Sequence, residues 1–210
     1  MKTPMAYSVI NRRNTWELEN LLIKDGILQV LSYEIIKDFD QEVLLNFELK
    51  YGIYVLPTLE LIDFLRGEIV GDAIEIGAGM GAIGRSLGIP ITDSYLQTVP
   101  EIKFYYEQMG NPVITYPADV EKLSAESAIR KYNPDTVIAA YVTHKYNGTT
   151  GNMYGVVEGK ILAKGCKYIS IGNDNVHMDK PILKYPHRVM RFDWLETRSE
   201  KSKNHVKIWQ

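Results

Sequence analysis

A single cysteine, Cys166, supplies all the thiol in this 210-residue chain. One cysteine closes no internal disulfide and builds no multi-thiolate zinc site. Its setting, the apolar stretch CKYISIG, reads as a buried strand. An excess of one charge is missing too: 24 Lys and Arg against 26 Asp and Glu leave a formal net charge of -2, so nothing demands a polyanionic partner. No apolar run approaches the ~20 residues of a membrane-spanning helix, and MKTPMAYSVINRRN has no apolar signal core. Internal repeats and low-complexity tracts are also missing, which excludes solenoids and biased-composition segments. The expectation is a soluble, cytoplasmic protein of a reducing compartment with no membrane partner.

What is present is 45% hydrophobic residues, enough to bury a full core at this length. The charge is unevenly placed, with seven Lys or Arg against three acids in residues 184–210. Such a tail reads first as solvated surface and leaves a nucleic-acid partner open.

Residues 15–68 read as mostly helical, because apolar positions recur at three- and four-residue spacing with charges between them. Gly26 and Gly52 punctuate the stretch, Asp40 is placed as a helix cap, and Thr58 as the cap of a helix ending at Gly67. From Asp72 strands and helices alternate. AIEIG, PITD, NPVITYPAD, DTVIAAYVTH and CKYISIG read as five strands; GAIGRSLG, VPEIKFYYEQMG, SAESAIRKYN and GNMYGVVEGKILAKG read as the helices between them. That alternation predicts a mostly parallel sheet with helices on its faces. At the end, RVMRFDWLE puts Met190, Phe192 and Trp194 on one side, and NHVKIWQ puts Val206 and Ile208 together. These predict an antiparallel strand pair closing one sheet edge. Residues 1–69 are thus an N-terminal helical cap on an α/β domain spanning 70–210.

The first strand runs into AIEIGAGMGAIGRSLG, where Gly77, Gly79, Gly81 and Gly84 lie within eight positions. Glycines between a strand and a helix allow tight turns and bring backbone N–H groups up to a ligand. Read from Gly79 the stretch satisfies G-x-G-x-x-G, which alone suggests NAD(P) or FAD. No Lys-Ser/Thr follows, so this is not a Walker loop. Three features argue against a dinucleotide. Glu75 lies inside the feeding strand, where a carboxylate repels a pyrophosphate and attracts an ammonium or sulfonium. The following helix is short. Asp93 comes 16 residues after Gly77, whereas the dinucleotide pattern expects an acid roughly 20 on.

With E-x-G-x-G-x-G at Glu75, Gly77, Gly79 and Gly81, Asp93 after the second strand, Asp119 in YPADV and the strand DTVIAAYVTH, the chain resembles the class I S-adenosylmethionine-dependent methyltransferases over residues 70–172. The resemblance implies a three-layer αβα Rossmann-like sheet of seven strands, mostly parallel with an antiparallel C-terminal strand. It implies S-adenosyl-L-methionine as cofactor, with Gly77, Ala78, Gly79 and Gly81 against the methionine moiety and Glu75 nearby. Asp93, beside Ser94, would accept from both ribose hydroxyls, Asp119 from the adenine amino group, and Tyr95 would pack on the adenine face. Each has a plainer alternative: Asp93 as a turn cap, Asp119 as a neighbour of a helix cap, Tyr95 as packing.

Ligands of doubly wound sheets sit beyond the carboxyl ends of the strands. The end of the fourth strand, YVTHKYN, therefore places Tyr141 at the cofactor and His144 and Tyr146 as catalytic candidates. His144 is the candidate base for an acceptor that must lose a proton, against the alternative of a loop hydrogen bond. YVTHKYN lacks the Asn/Asp-Pro-Pro-aromatic signature of base-directed amino methyltransferases, and no acid cluster beside the histidine suggests a metal site. Asn173 and Asp174 in the proline-bearing link after the fifth strand are placed beside the acceptor. The cap either covers the acceptor pocket or serves as scaffold or oligomer surface. The function expected is methyl transfer to a small molecule, with protein and nucleic-acid acceptors still open. The alternatives are an NAD(P)-dependent oxidoreductase and a non-catalytic cofactor-binding module.

Overall fold

The computed structural model describes residues 14–108, 110, 112–142 and 156–210. Among these, seven strands form one sheet: β1 Ala73–Ile76, β2 Ile91–Asp93, β3 Glu121–Lys122, β4 Thr136–Ala140, β5 Lys167–Asn173, β6 Arg188–Met190 and β7 Asn204–Trp209. Their spatial order is β3-β2-β1-β4-β5-β7-β6. The first five are parallel, and β7 runs antiparallel to both β5 and β6. The chain therefore winds outward from β1 to β3, returns to β4, and winds outward the other way. The strand order reverses between β1 and β4, which is where open α/β sheets leave a crevice.

The longer helices accompanying the sheet are α1 Trp16–Leu22, α2 Gln41–Tyr51, α3 Leu59–Glu68, α4 Ala82–Leu87, α5 Pro100–Gln108 and α6 Ala125–Tyr132. Their ends follow local chemistry. The Asp40 carboxylate accepts the Glu42 N–H at the start of α2, and Gly52 closes that helix in the left-handed region at φ 67°. The Thr58 hydroxyl accepts the Leu61 N–H at the start of α3. Alternate residues of β4 point to opposite sides of the sheet. Val137 and Ala139 pack with Ala128 and Ile129 of α6, whereas Ile138 packs with Leu61, Ile62 and Leu65 of α3.

The cap is less helical than its periodicity predicts. Asp25 and Gly26 both have positive φ, 51° and 76°, so they form a two-residue reversal between Ile23–Lys24 and Ile27–Leu28, which pair antiparallel. Val55–Leu56 pairs antiparallel with Glu196–Thr197, tying the cap to the C-terminal segment. The apolar residues of α1 and α2, Leu18, Leu22, Leu44 and Phe47, share one cluster with Met80, Ala82 and Ile114, so the cap packs on the glycine loop itself.

Two further expectations change. The third strand is not residues 111–119 but Glu121–Lys122, paired with Thr92–Asp93. Pro112 and Pro117 lack the N–H a ladder requires. The Ile114 N–H goes instead to the Gln97 side chain, and the Ile114 side chain to the cap cluster. The strand beginning at Arg188 ends at Met190, yet Met190, Phe192 and Trp194 still share a side, packing on the same cluster with Phe192 stacked on Trp194 at 4.2 Å. Of the helix expected over 151–165, residues 156–165 are described, and among them only Gly159–Leu162 is helical.

Close to the end of β4 lies an ion pair out of reach of water. Lys180 meets Glu158 at 2.7 Å, with side chains 4% and 2% exposed. The same Glu158 oxygen accepts the Tyr168 hydroxyl, and Lys180 also donates to the Val142 carbonyl. Removing one partner strands the other charge without water, so Lys180→Met is expected to cost about 3–5 kcal/mol in urea unfolding. The double change with Glu158→Leu should recover most of that loss.

Candidate functional site

A cleft of about 710 Å³ opens beyond the carboxyl ends of β1, β2 and β4. Its floor is the glycine loop, and Asp93, Ser94, Tyr141 and Val142 line its sides. The cap contributes Gly52 through Val55, and α5 contributes Ile102, Tyr105 and Tyr106. The loop is glycine because of close approach. At Gly77, φ 60°, a β-carbon would lie 2.4 Å from the Val142 methyl across the strand reversal. At Gly84 it would lie 2.2 Å from Ile91 and 2.8 Å from the Glu75 carboxylate.

Asp93 joins the loop to the turn after β2. One carboxylate oxygen accepts the Gly79 N–H at 3.0 Å, and the other accepts the Tyr95 N–H at 2.7 Å. Burial pushes the Asp93 carboxyl up, against the pull of those two N–H groups and of the Tyr116 hydroxyl. Asp93 therefore does cap its turn, and it also faces the cleft. Three of the loop N–H groups are spent inside the chain: Ala78 donates to Thr92, Gly79 to Asp93 and Gly81 to the Ala78 carbonyl.

Glu75 is 1% exposed, and its carboxylate accepts the Gly84 N–H of α4 at 2.8 Å. Burial pushes its carboxyl up to about 8, with the Asp93 charge adding to the rise. At neutral pH it is mostly protonated, so it brings little standing negative charge to the loop unless a cation draws the proton off.

The other sequence-derived residues divide. Ser94, Ala78 and Tyr141 line the cleft; Tyr95 and Asp119 do not. The Asp119 carboxylate is held by Arg85 in a two-pronged pair at 2.7 and 2.8 Å, so it points at a guanidinium rather than at the cleft. Tyr95 stacks on Tyr116 at 3.9 Å and donates its hydroxyl to the Val120 carbonyl, so its ring is packing. Asn173 caps a short turn, and Asp174, though partly buried, is held down to about 2 by Arg191 and Lys207. Neither lines the cleft. His144 and Tyr146 lie outside the described residues. Among the described residues no three His, Cys, Asp or Glu side chains come together as a metal ion would need.

Tyr54, Tyr106 and Tyr116 line the cleft without having been read from the sequence. Local spacing held no signal for them, because Tyr54 belongs to the cap and meets Tyr106 only through the fold. Tyr141 was found by its place at a strand end, where it holds φ 57°, a conformation tyrosine seldom adopts.

The Glu75 environment sets a pH dependence of stability. Its native proton is held up to about 8 and its unfolded proton only to about 4.5. Across that window the folded state binds more protons, so stability falls as pH rises, by at most roughly 1.4 kcal/mol per pH unit, and levels off above it. Glu75→Gln removes the titration, so its unfolding free energy relative to wild type should rise between pH 5 and pH 8 in urea titrations. Parallel pH profiles for the two proteins would assign the dependence elsewhere.

No protein-family model matches the chain, and no curated protein matches it. Among solved structures it is similar to a hypothetical protein of Thermus thermophilus, at 16% identity over 71% of this chain and 81% of that one, with a TM-score of 0.37. A likeness that loose carries no argument about chemistry.

Proposed function

We propose that the chain binds S-adenosylmethionine on the glycine loop and transfers its methyl group to a small molecule. One observation carries this reading: the loop N–H groups of Ala78, Gly79 and Gly81 are already satisfied, and no Lys, Arg or His lines the cleft among the described residues. A pyrophosphate needs free N–H donors or cations, because burying its charge without them is costly. A nucleoside carrying a sulfonium needs neither. The lack of a lining cation among the described residues weighs against the NAD(P) alternative. The seven-strand, mostly parallel sheet with β7 antiparallel to its neighbours agrees with what the resemblance implies, and the split packing of β4 supports helices in two outer layers.

The bound cofactor would supply an electrophilic methyl group. This chain's residues supply position and dryness. Asp93 accepts from Gly79, Tyr95 and the Tyr116 hydroxyl, which leaves one of its four lone pairs for a ribose hydroxyl. Glu75, at the root of the loop, gains charge when a cation draws off its proton. The cap walls the cleft and excludes water, which sharpens alignment of the acceptor. No adenine contact is assigned to Asp119, which Arg85 holds. His144 remains the proposed base, and Tyr146 its neighbour.

S-adenosylhomocysteine should give saturable heat in isothermal titration and raise the melting temperature, whereas NADH should do neither. Asp93→Ala should weaken that binding by about 1–3 kcal/mol, the scale of lost charge-assisted hydrogen bonds. His144→Ala should spare binding and lower transfer of labelled methyl groups. The absence of any S-adenosylhomocysteine binding at millimolar concentration would end the proposal.

A further inference from the structure

We infer that the part of the cleft walled by Tyr54, Tyr106 and Tyr141 is the acceptor subsite, and that it takes a small, uncharged aromatic molecule. The inference rests on the methyl-transfer reading only for the word acceptor; the binding claim stands on the wall itself.

The three tyrosines come from three separate parts of the fold. Tyr141 lies just past β4, Tyr54 in the cap and Tyr106 on α5. Tyr54 and Tyr141 stand with ring centroids 5.7 Å apart and tilted, and the Tyr54 and Tyr106 hydroxyls are 2.8 Å apart. The result is a continuous aromatic wall facing the cleft, of the kind that meets a flat ring by offset or edge contact. Ile53 and Ile102 add apolar surface beside it. A volume of about 710 Å³ lies well within the ~300–1,000 Å³ typical of ligand sites, with room for a nucleoside and a second small ring.

Charge selects the class. Among the described residues an anionic acceptor meets no cation lining the cleft. The guanidinium of Arg198 lies over the Tyr54 ring, 3.4 Å from its centroid, and that of Arg85 is held by Asp119 and the Met80 carbonyl. Nor, among the described residues, does a carboxylate line the wall to pair with a cationic acceptor. Glu75 and Asp93 lie at the glycine loop, and Glu126, the third cleft carboxylate, is paired with Lys160. Tyr141 donates its hydroxyl to Thr197, and one of Tyr54 and Tyr106 donates to the other, so one hydroxyl proton of the wall is left for a neutral oxygen.

The test uses the purified full chain and three size-matched probes: 4-methylphenol, 4-methylbenzoate and 4-methylbenzylamine. Affinities are read by saturation-transfer NMR, with and without S-adenosylhomocysteine. The phenol should bind at least about tenfold more tightly than either charged probe. Tyr106→Ala should weaken phenol binding about tenfold and leave S-adenosylhomocysteine affinity unchanged, while Tyr106→Phe, which keeps the ring, should retain most of it. Should Tyr106→Ala fail to fold, Tyr54→Ala makes the same comparison from the cap side. Equal or tighter binding of the benzoate or the amine overturns the inference. So does phenol binding indifferent to both tyrosine truncations, or no phenol binding in either condition. Tyrosine-dependent phenol binding without any S-adenosylhomocysteine binding would uphold the subsite and remove the methyl-transfer reading.

Discussion

The carboxylate of Asp93 is the constraint on which the cleft depends. It stands at the end of β2 and holds two backbone N–H groups from different loops, Gly79 on one side and Tyr95 on the other. A carboxylate 7% exposed is tolerable only because several donors serve it, including the Tyr116 hydroxyl. Those donors also fix the loop against the turn, so the floor of the cleft and its side wall keep one relation. The glycine loop beneath is shaped by contact as much as by hydrogen bonds, with Gly77 against Val142 and Gly84 against Ile91.

The cap acts on the same place from above. Its apolar cluster includes Met80 and Ala82 of the loop segment, so covering the cleft and burying the cap's own core are one event. Gly52 shows how close that fit is: a β-carbon there would lie 2.8 Å from the Ile114 side chain. The cap is held at its other end by pairing of Val55–Leu56 with Glu196–Thr197. The cleft is therefore lined by residues between Leu28 and Val157, with its cap wall tied to the C-terminal segment.

The electrostatics of the molecule are divided between cleft and scaffold. The buried pair of Lys180 and Glu158 and the cations gathered on Asp174 are spent on structure. Arg85 is spent on Asp119, and Arg198 on the Tyr54 ring. What remains facing the cleft among the described residues is carboxylate, hydroxyl, the Gln97 amide, the Met80 thioether and hydrocarbon. That balance suits ligands that are neutral or positive and disfavours those carrying phosphate.

Features encoded within a few neighbouring residues were legible from the sequence. The Asp40 and Thr58 caps, the strand–glycine–helix unit at 73–87, the alternation of strands and helices and the antiparallel final strand all rest on period, turn chemistry or a cap one turn away. The Asp25-Gly26 reversal was written just as locally, and helical periodicity masked it because a short hairpin buries apolar residues at similar spacing. Partner choice was not legible. Asp119 meets Arg85 across 34 positions, Tyr54 meets Tyr106 across 52, and Ile114 leaves the sheet for the cap. A side chain's own sequence sets what it is able to bond; which group arrives beside it is decided by how distant elements pack, and that only the tertiary structure determines.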